Sequence, residues 1–394
     1  MPAIYRADLI VPVTGKSIPN GWMEVADDGT IISLHDSPAP AEAISLKGIL
    51  IPGFVNAHCH LELSHLRGRL AEKTGMTGFI RELLAKRFSV SPEEQLKAMQ
   101  AAEAEMLENG IVAVGDISNF EHSLAVKEKS NLYYHTFVEV LGLNPQQANA
   151  VMEKGKILQQ QFSGIQQHSS NIAPHAPYSL SDELFEKIKS LPAAERNPST
   201  IHMEESEEEN IFCRTAAGPM AAFYKDFGID FSTFIPAPEK SPLLRTLPKL
   251  GLNGRTLFVH NTLLNAEEAL IAEHYLGDVY WCLCPNANLY ITNKLPDFSI
   301  FNQEQRKVTI GTDSLASNHG LSILEELKTI SASAPTISFE TLIRWSTYNG
   351  AEFLGIENRF GHFNPGTKPG LVLLENCNAE NPRFQKNISL RRIL

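Results

Sequence analysis

Ile51-Pro-Gly-Phe-Val-Asn-Ala-His-Cys-His60 is the stretch on which the reading of this chain turns. The apolar run ahead of the histidines, residues 49 to 55, reads as a buried strand. Side chains two apart on a strand project from the same face. His58 and His60, at the end of such a strand, therefore reach one metal ion together. In a chain with 13 histidines a His-x-His pair carries little weight alone. Its weight comes from the order of residues downstream: His175, His202 with Glu205, His260 and Asp313 each stand just after another apolar run.

Those runs set the fold class. Further strands are expected over residues 111–117, 132–140, 171–174, 200–203, 256–260, 279–283 and 308–311, which with 49–55 makes eight. Helical segments fall between most of them. The clearest begins at Ser91-Pro-Glu-Glu94, where Ser91 caps, Pro92 takes the first helical position and Glu94 completes a capping box. It runs from Gln95 to Asn109 and closes at Gly110. Alternation of this kind predicts an α/β fold, a (β/α)8 TIM-like barrel, with its active site at the C-terminal ends of the strands. Every candidate ligand sits at such an end.

The barrel is placed at residues 51–360. Short β-like runs at 7–13, 21–25 and 29–34, separated by turn residues, predict a small antiparallel sheet before it. Another run at 366–374 follows it. The two ends, 1–50 and 361–394, are expected to build one composite β-sandwich domain. Residues 206 to 255 form an irregular connection, with Pro236, Pro238, Pro242 and Pro248 in its later part, expected to act as a lid or substrate-shaping insertion. Its opening Glu207-Glu208-Glu209 reads as the acidic first turn of a helix.

Composition bounds the rest. At 394 residues and 43% hydrophobic content the chain can bury a large core. A formal charge of −11 argues against nucleic acid or an anionic membrane as partner. No secretory signal and no run long enough to span a bilayer are visible. Five cysteines, an odd number, make no disulfide framework, so a cytoplasmic protein is expected. Cys282 and Cys284 share a strand face, but they read as small apolar packing residues rather than a thiolate site.

Three neutral imidazoles and one carboxylate, His58, His60, His202 and Asp313, suit one divalent ion, zinc first and iron as the alternative. Such an ion lowers the pKa of a water towards about 7. Glu205, three residues after His202, is placed to move protons between that water and a substrate; Glu204 is its rival. His260 is placed to orient the attacking water, and His175 to touch substrate.

These residues resemble the amidohydrolase superfamily, in its branch of aromatic-ring deaminases and chlorohydrolases. The matching pieces are Pro52-Gly-Phe-Val-Asn-Ala-His-Cys-His60, Ala173-Pro-His-Ala-Pro-Tyr-Ser179, His202-Met-Glu-Glu-Ser206, Val259-His-Asn261, Cys284-Pro-Asn-Ala-Asn-Leu289 and Gly311-Thr-Asp-Ser314. The resemblance implies that His58, His60, His202 and Asp313 bind the metal, that Glu205 shuttles protons, and that His260 with Asp313 activates the water. Strand four ends in His175 rather than a lysine, which implies a mononuclear site. Asn288 and Ser317, with His175, are assigned to the substrate. The implied activity is hydrolytic removal of the exocyclic amine of an aromatic N-heterocycle. An adenine-type nucleoside is expected, with aminodeoxyfutalosine, S-adenosylhomocysteine and methylthioadenosine as candidates; a homodimer is the family's habit. Dechlorination of a triazine-type ring and a catalytically inactive scaffold are the alternatives.

Overall fold

A computed structural model of the chain describes residues 2–251 and 254–394. Eight strands alternate with helices. β1 (Phe54–Cys59), β2 (Ile111–Ser118), β3 (Tyr133–Val140) and β4 (Ser169–Pro174) form one parallel sheet. β5 (Ser199–Met203), β6 (Thr256–His260), β7 (Val279–Leu283) and β8 (Lys307–Ile310) form a second. The two meet at both edges. At one seam the amides of Thr312 and Asp313 each donate to the carbonyl of His58 at 3.1 Å, and Cys59 forms a parallel β-bridge with Asp313. At the other, the His202 amide donates to the His175 carbonyl at 2.9 Å. The result is the expected (β/α)8 barrel.

Burial on both faces explains why the strands read as unbroken apolar runs. In β7, Tyr280 and Cys282 pack into one buried cluster while Trp281 and Leu283 pack into another. The helix Pro92–Glu108 has the anticipated box: Glu94 N donates to Ser91 Oγ at 3.2 Å, and Ser91 N donates to Glu94 Oε2 at 2.9 Å. Gly110 beyond its end has φ of +71°, the left-handed region glycine tolerates.

The opening apolar run is divided, contrary to the expectation of one strand over 49–55. Residues Ile44–Pro52 belong to a sheet made from both chain ends, and β1 starts only at Phe54. His58 thus lies inside β1 and His60 just beyond it. Gly53 is the crossing point. A Cβ there would lie 2.3 Å from Val112 Cγ1 and 2.7 Å from the Pro369 carbonyl, so no larger residue fits.

That end sheet has seven strands. Its order is Ser389–Arg392, Leu371–Glu375, Ile44–Pro52, Ala3–Ile10, Trp22–Val25, Ile31–His35, with Ile18–Pro19 paired to Ala3–Ile10. The expected purely antiparallel arrangement is corrected here, because Ala3–Ile10 and Ile44–Pro52 run parallel. Leu50, Leu371 and Leu373 face one buried cluster; Ile49, Ile51, Val372 and Leu374 face the barrel core.

The connection after β5 is largely helical, with Glu207–Thr215, Gly218–Asp226 and Pro242–Thr246; its residues 252 and 253 lie outside the described residues. Phe212, Tyr224 and Phe234 of this segment join Leu63, Leu66, Tyr178, Tyr290 and Ala316 in one apolar cluster. Those partners come from the loops after β1, β4, β7 and β8, so the insertion packs across the C-terminal end of the barrel. No helix among the described residues is long and apolar enough to cross a membrane.

Candidate metal and catalytic centre

Four side chains converge where β1, β5 and β8 end. His60 Nε2 lies 3.1 Å from His58 Nε2, 3.4 Å from His202 Nε2 and 3.3 Å from Asp313 Oδ1. His58 Nε2 lies 3.6 Å from the same oxygen. Donors held tetrahedrally at zinc-like bond lengths stand about 3.3–3.4 Å apart. The observed spacings bracket that value, so this donor set fits a small divalent cation.

Protonation favours the same use. Burial pushes His58 down to about 4 and His60 to about 3, so both imidazoles are neutral and offer lone pairs at neutral pH. Burial alone raises the Asp313 carboxyl, but the His58 hydrogen bond and the attraction of the protonated forms of His60 and His260 outweigh it and hold it well below the usual range. His202 Nδ1 donates to the His175 carbonyl at 2.9 Å and lies 3.5 Å from Glu139 Oε1. That fixes the tautomer with Nε2 free for a ligand.

The backbone that delivers these groups is unusual. Glu204, His260, Asn261 and Asp313 have φ of 53°, 75°, 54° and 55°. Non-glycine residues take this region at a cost of about 1–3 kcal/mol each, and such residues cluster at functional sites. Here each turns the chain at a strand's C-terminal end.

Glu205 and His260 form the second half of the centre. Their Oε1 and Nε2 are 3.5 Å apart. Burial, reinforced by Asp313 and Glu209, pushes the Glu205 carboxyl well above its usual range, which favours its protonated form. His260 Nδ1 lies 2.8 Å from Asn288 Oδ1 and donates to it, which leaves Nε2 as an acceptor. Burial holds His260 at about 4. Glu204, the rival, points elsewhere: its Oε1 accepts the Leu243 amide at 3.2 Å.

The three residues assigned to substrate lie around this group. His175 Nδ1 contacts Ser179 Oγ at 2.7 Å, and burial holds its ring at about 4. Asn288 faces His260. Ser317 Oγ donates to Asp313 Oδ2 at 2.5 Å. Asn288 and Ser317 thus engage the proposed machinery through their side chains. Cys282 and Cys284 are buried free thiols, and burial keeps Cys284 well above its ordinary value.

Three supporting groups were given no site role by the sequence reading. Asp116 accepts the Leu61 amide, just after His60, at 2.8 Å and pairs with the fully buried Lys127 ammonium at 2.6 Å. Glu139 faces both His175 and His202 and is steadied by Asn119 Nδ2 at 2.9 Å. Glu209 accepts amides beside Glu205. A buried carboxylate among apolar residues was the available signal for Asp116 and Glu139; Glu209 was hidden by its place in an acidic first turn.

Comparison with known proteins identifies the family and the shared fold. Residues 49–389 match the amidohydrolase family. A 5-methylthioadenosine/S-adenosylhomocysteine deaminase of Teredinibacter turnerae is 26% identical over 349 residues, 85% of this chain and 73% of that protein. The solved structure of Helicobacter pylori aminofutalosine deaminase with methylthio-coformycin superposes with a TM-score of 0.79 at 22% identity, covering 94% of this chain and 92% of that one. An adenosine deaminase from Xanthomonas campestris with bound zinc gives a TM-score of 0.75 at 24% identity, covering 95% and 84%. At those identities the two structures show the shared fold. The chain belongs to the amidohydrolase family.

Proposed function

We propose that this hydrolase of C–N bonds is a deaminase that depends on one divalent metal ion, zinc, and replaces the exocyclic amine of an adenine-type nucleoside with oxygen, releasing ammonia. The observation that carries the reading is the buried Glu205 carboxyl 3.5 Å from His260 Nε2, beside the His58, His60, His202 and Asp313 donor group. A bound ion there supplies a water of lowered pKa.

The side chains do the remainder. His260 Nε2, kept an acceptor by Asn288, orients the attacking water. Asp313 takes a proton from it. Glu205 gives its proton to the ring nitrogen next to the amine-bearing carbon, so the ring does not build up negative charge as oxygen adds. The proton on Asp313 passes to the amine, which leaves as ammonia when the carbon–nitrogen bond breaks. The new hydroxyl gives its proton to the Glu205 carboxylate, which restores the carbonyl product and reprotonates Glu205. His175 lies beside this path as a substrate contact.

The nucleoside class is supported by the names of similar proteins, which specify methylthioadenosine/S-adenosylhomocysteine, aminofutalosine and adenosine deaminases. Ammonia release by zinc-loaded protein, measured across adenosine, methylthioadenosine, S-adenosylhomocysteine, aminodeoxyfutalosine, guanine, cytosine and an aminotriazine, tests the reading. Turnover on an adenine nucleoside is expected. Release only from the other rings, or none with one ion per chain verified, contradicts it.

A further inference from the structure

Two helices of this chain begin with the same signature and use it differently. At Pro92–Glu108 the third residue, Glu94, returns to the amide of its own N-cap Ser91. That is the ordinary capping box, which closes the helix end and nothing more. At Glu207–Thr215 the N-cap is Ser206, whose Oγ accepts the Glu209 amide at 3.2 Å. The third residue, Glu209, faces the amide of its N-cap Ser206 as well, and reaches further back. Its Oε2 accepts the amide of Glu205 at 2.8 Å and its Oε1 accepts the amide of Glu204 at 3.2 Å.

We propose that Glu209 is a positioning residue: its carboxyl clamps the two amides that flank the turn after β5 and thereby aims Glu205 at the reacting centre. The clamped amides belong to adjacent residues whose side chains must part. Glu204, at φ of 53°, sends its carboxyl outward to the Leu243 amide. Glu205 sends its own inward to His260. The strand register ends at Met203, and Glu204 at positive φ breaks the alternation that a continuing strand would impose on the two side chains. The Asn261 and Leu263 amides hold the carbonyl side of this turn, donating to Met203 and Glu204 at 3.0 Å each, and the two bonds to the Glu209 carboxyl hold its amide side.

The location argues against a simple cap. Glu209 is 0% exposed and sits with Glu204 and Glu205, both buried. Burial and the neighbouring Glu204 push its carboxyl up to about 8. A cap at a solvent-facing helix end, like Ser91–Glu94, avoids that penalty. Keeping an acid here is reasonable where the orientation it enforces matters, since misplacing a reacting group by about 1 Å can cost on the order of a hundredfold in rate.

The kinetic arm of the test rests on the proposed deaminase activity; a crystallographic arm does not. Zinc-loaded full-length protein is compared as wild type, Glu209→Gln, Glu209→Ala, Glu205→Gln and the Glu205→Gln/Glu209→Ala double variant. Glu209→Ala is expected to lower kcat roughly a hundredfold, with KM within about twofold and metal content unchanged. Glu209→Gln, which keeps one acceptor oxygen, should fall between it and wild type. In the Glu205→Gln background, adding Glu209→Ala should change kcat by less than about twofold, because a residue acting through Glu205 has nothing left to position. Crystal structures should show the Glu205 carboxyl moved away from His260 Nε2 in Glu209→Ala. The control Glu94→Ala should lower Tm and leave kcat alone. Full kcat in either Glu209 variant, equal effects of Glu209→Ala with and without Glu205, or an unmoved Glu205 in its crystal structure would overturn the clamp. If Glu209→Ala does not fold, Glu209→Gln decides by the same measures. Silence of the wild type on every nucleoside would instead overturn the deaminase reading, and the crystal structures would still decide the role of Glu209.

Discussion

At the scale of single residues, the proposed reactive pair is Glu205 and His260, and burial moves both, the carboxyl up and the imidazole down to about 4. Glu205→Gln keeps the shape and removes the proton-transfer group. It is expected to lower kcat by about 10²–10⁴-fold while metal content, measured by atomic absorption, stays unchanged. Asn288→Ala removes the acceptor for His260 Nδ1 and leaves a buried donor unpaired, a penalty of about 1–3 kcal/mol. A loss of Tm and a fall in kcat of roughly 10–100-fold are expected; unchanged kinetics would detach Asn288 from His260 orientation. His58 and His60 were legible because a period of two is a local property of a strand. Glu139 and Asp116 were not, because their partners His202 and Leu61 lie 63 and 55 positions away and meet them only after the barrel closes.

Elements were legible where the signal was local and misread where two elements abut. Ser91, Pro92 and Glu94 announced their helix, since a capping box is self-contained. The run 49–55 misled because residues 49–52, the end of the strand Ile44–Pro52, are buried on both faces, so they carry no alternation to tell an end-sheet strand from a barrel strand. The parallel pairing of Ala3–Ile10 with Ile44–Pro52 was equally hidden, because turn residues between neighbouring runs suggest hairpins only. Closure of the barrel depends on Gly311. A Cβ there would lie 2.8 Å from His58 Cβ and 2.9 Å from the His58 carbonyl, against backbone that also receives the Asp313 amide. Gly311→Ala is therefore expected to destabilise the protein by about 1–3 kcal/mol and to weaken metal binding. Denaturant unfolding and metal titration check this; wild-type values in both would show that the seam yields.

Across the whole molecule, buried ionisable groups set an expectation for metal-free protein. His58, His60, His175 and His260 have values lowered to about 3–4 by burial, so the unfolded chain binds more protons than the native one below 6.5. Stability then falls as pH drops from 6.5 through about 4. Glu62, Glu209 and Glu326 are raised by burial to about 8, so the native state holds more protons above 4.5. Stability falls as pH rises from 4.5 through about 8. The two trends oppose each other between 4.5 and 6.5, so Tm should be highest there and decline on both sides; a Tm still rising at pH 8 would contradict these assignments. Added metal should raise Tm most at neutral pH, where the imidazoles are free of protons. The most direct test of the central claim is to titrate metal-free protein with zinc while following ammonia release from a responsive adenine nucleoside. Activity is expected to be absent at the start, to rise in proportion to zinc and to stop at one ion per chain. Full ammonia release from metal-free protein, or a rise that continues to two ions per chain, would contradict a single-metal deaminase built on His58, His60, His202 and Asp313.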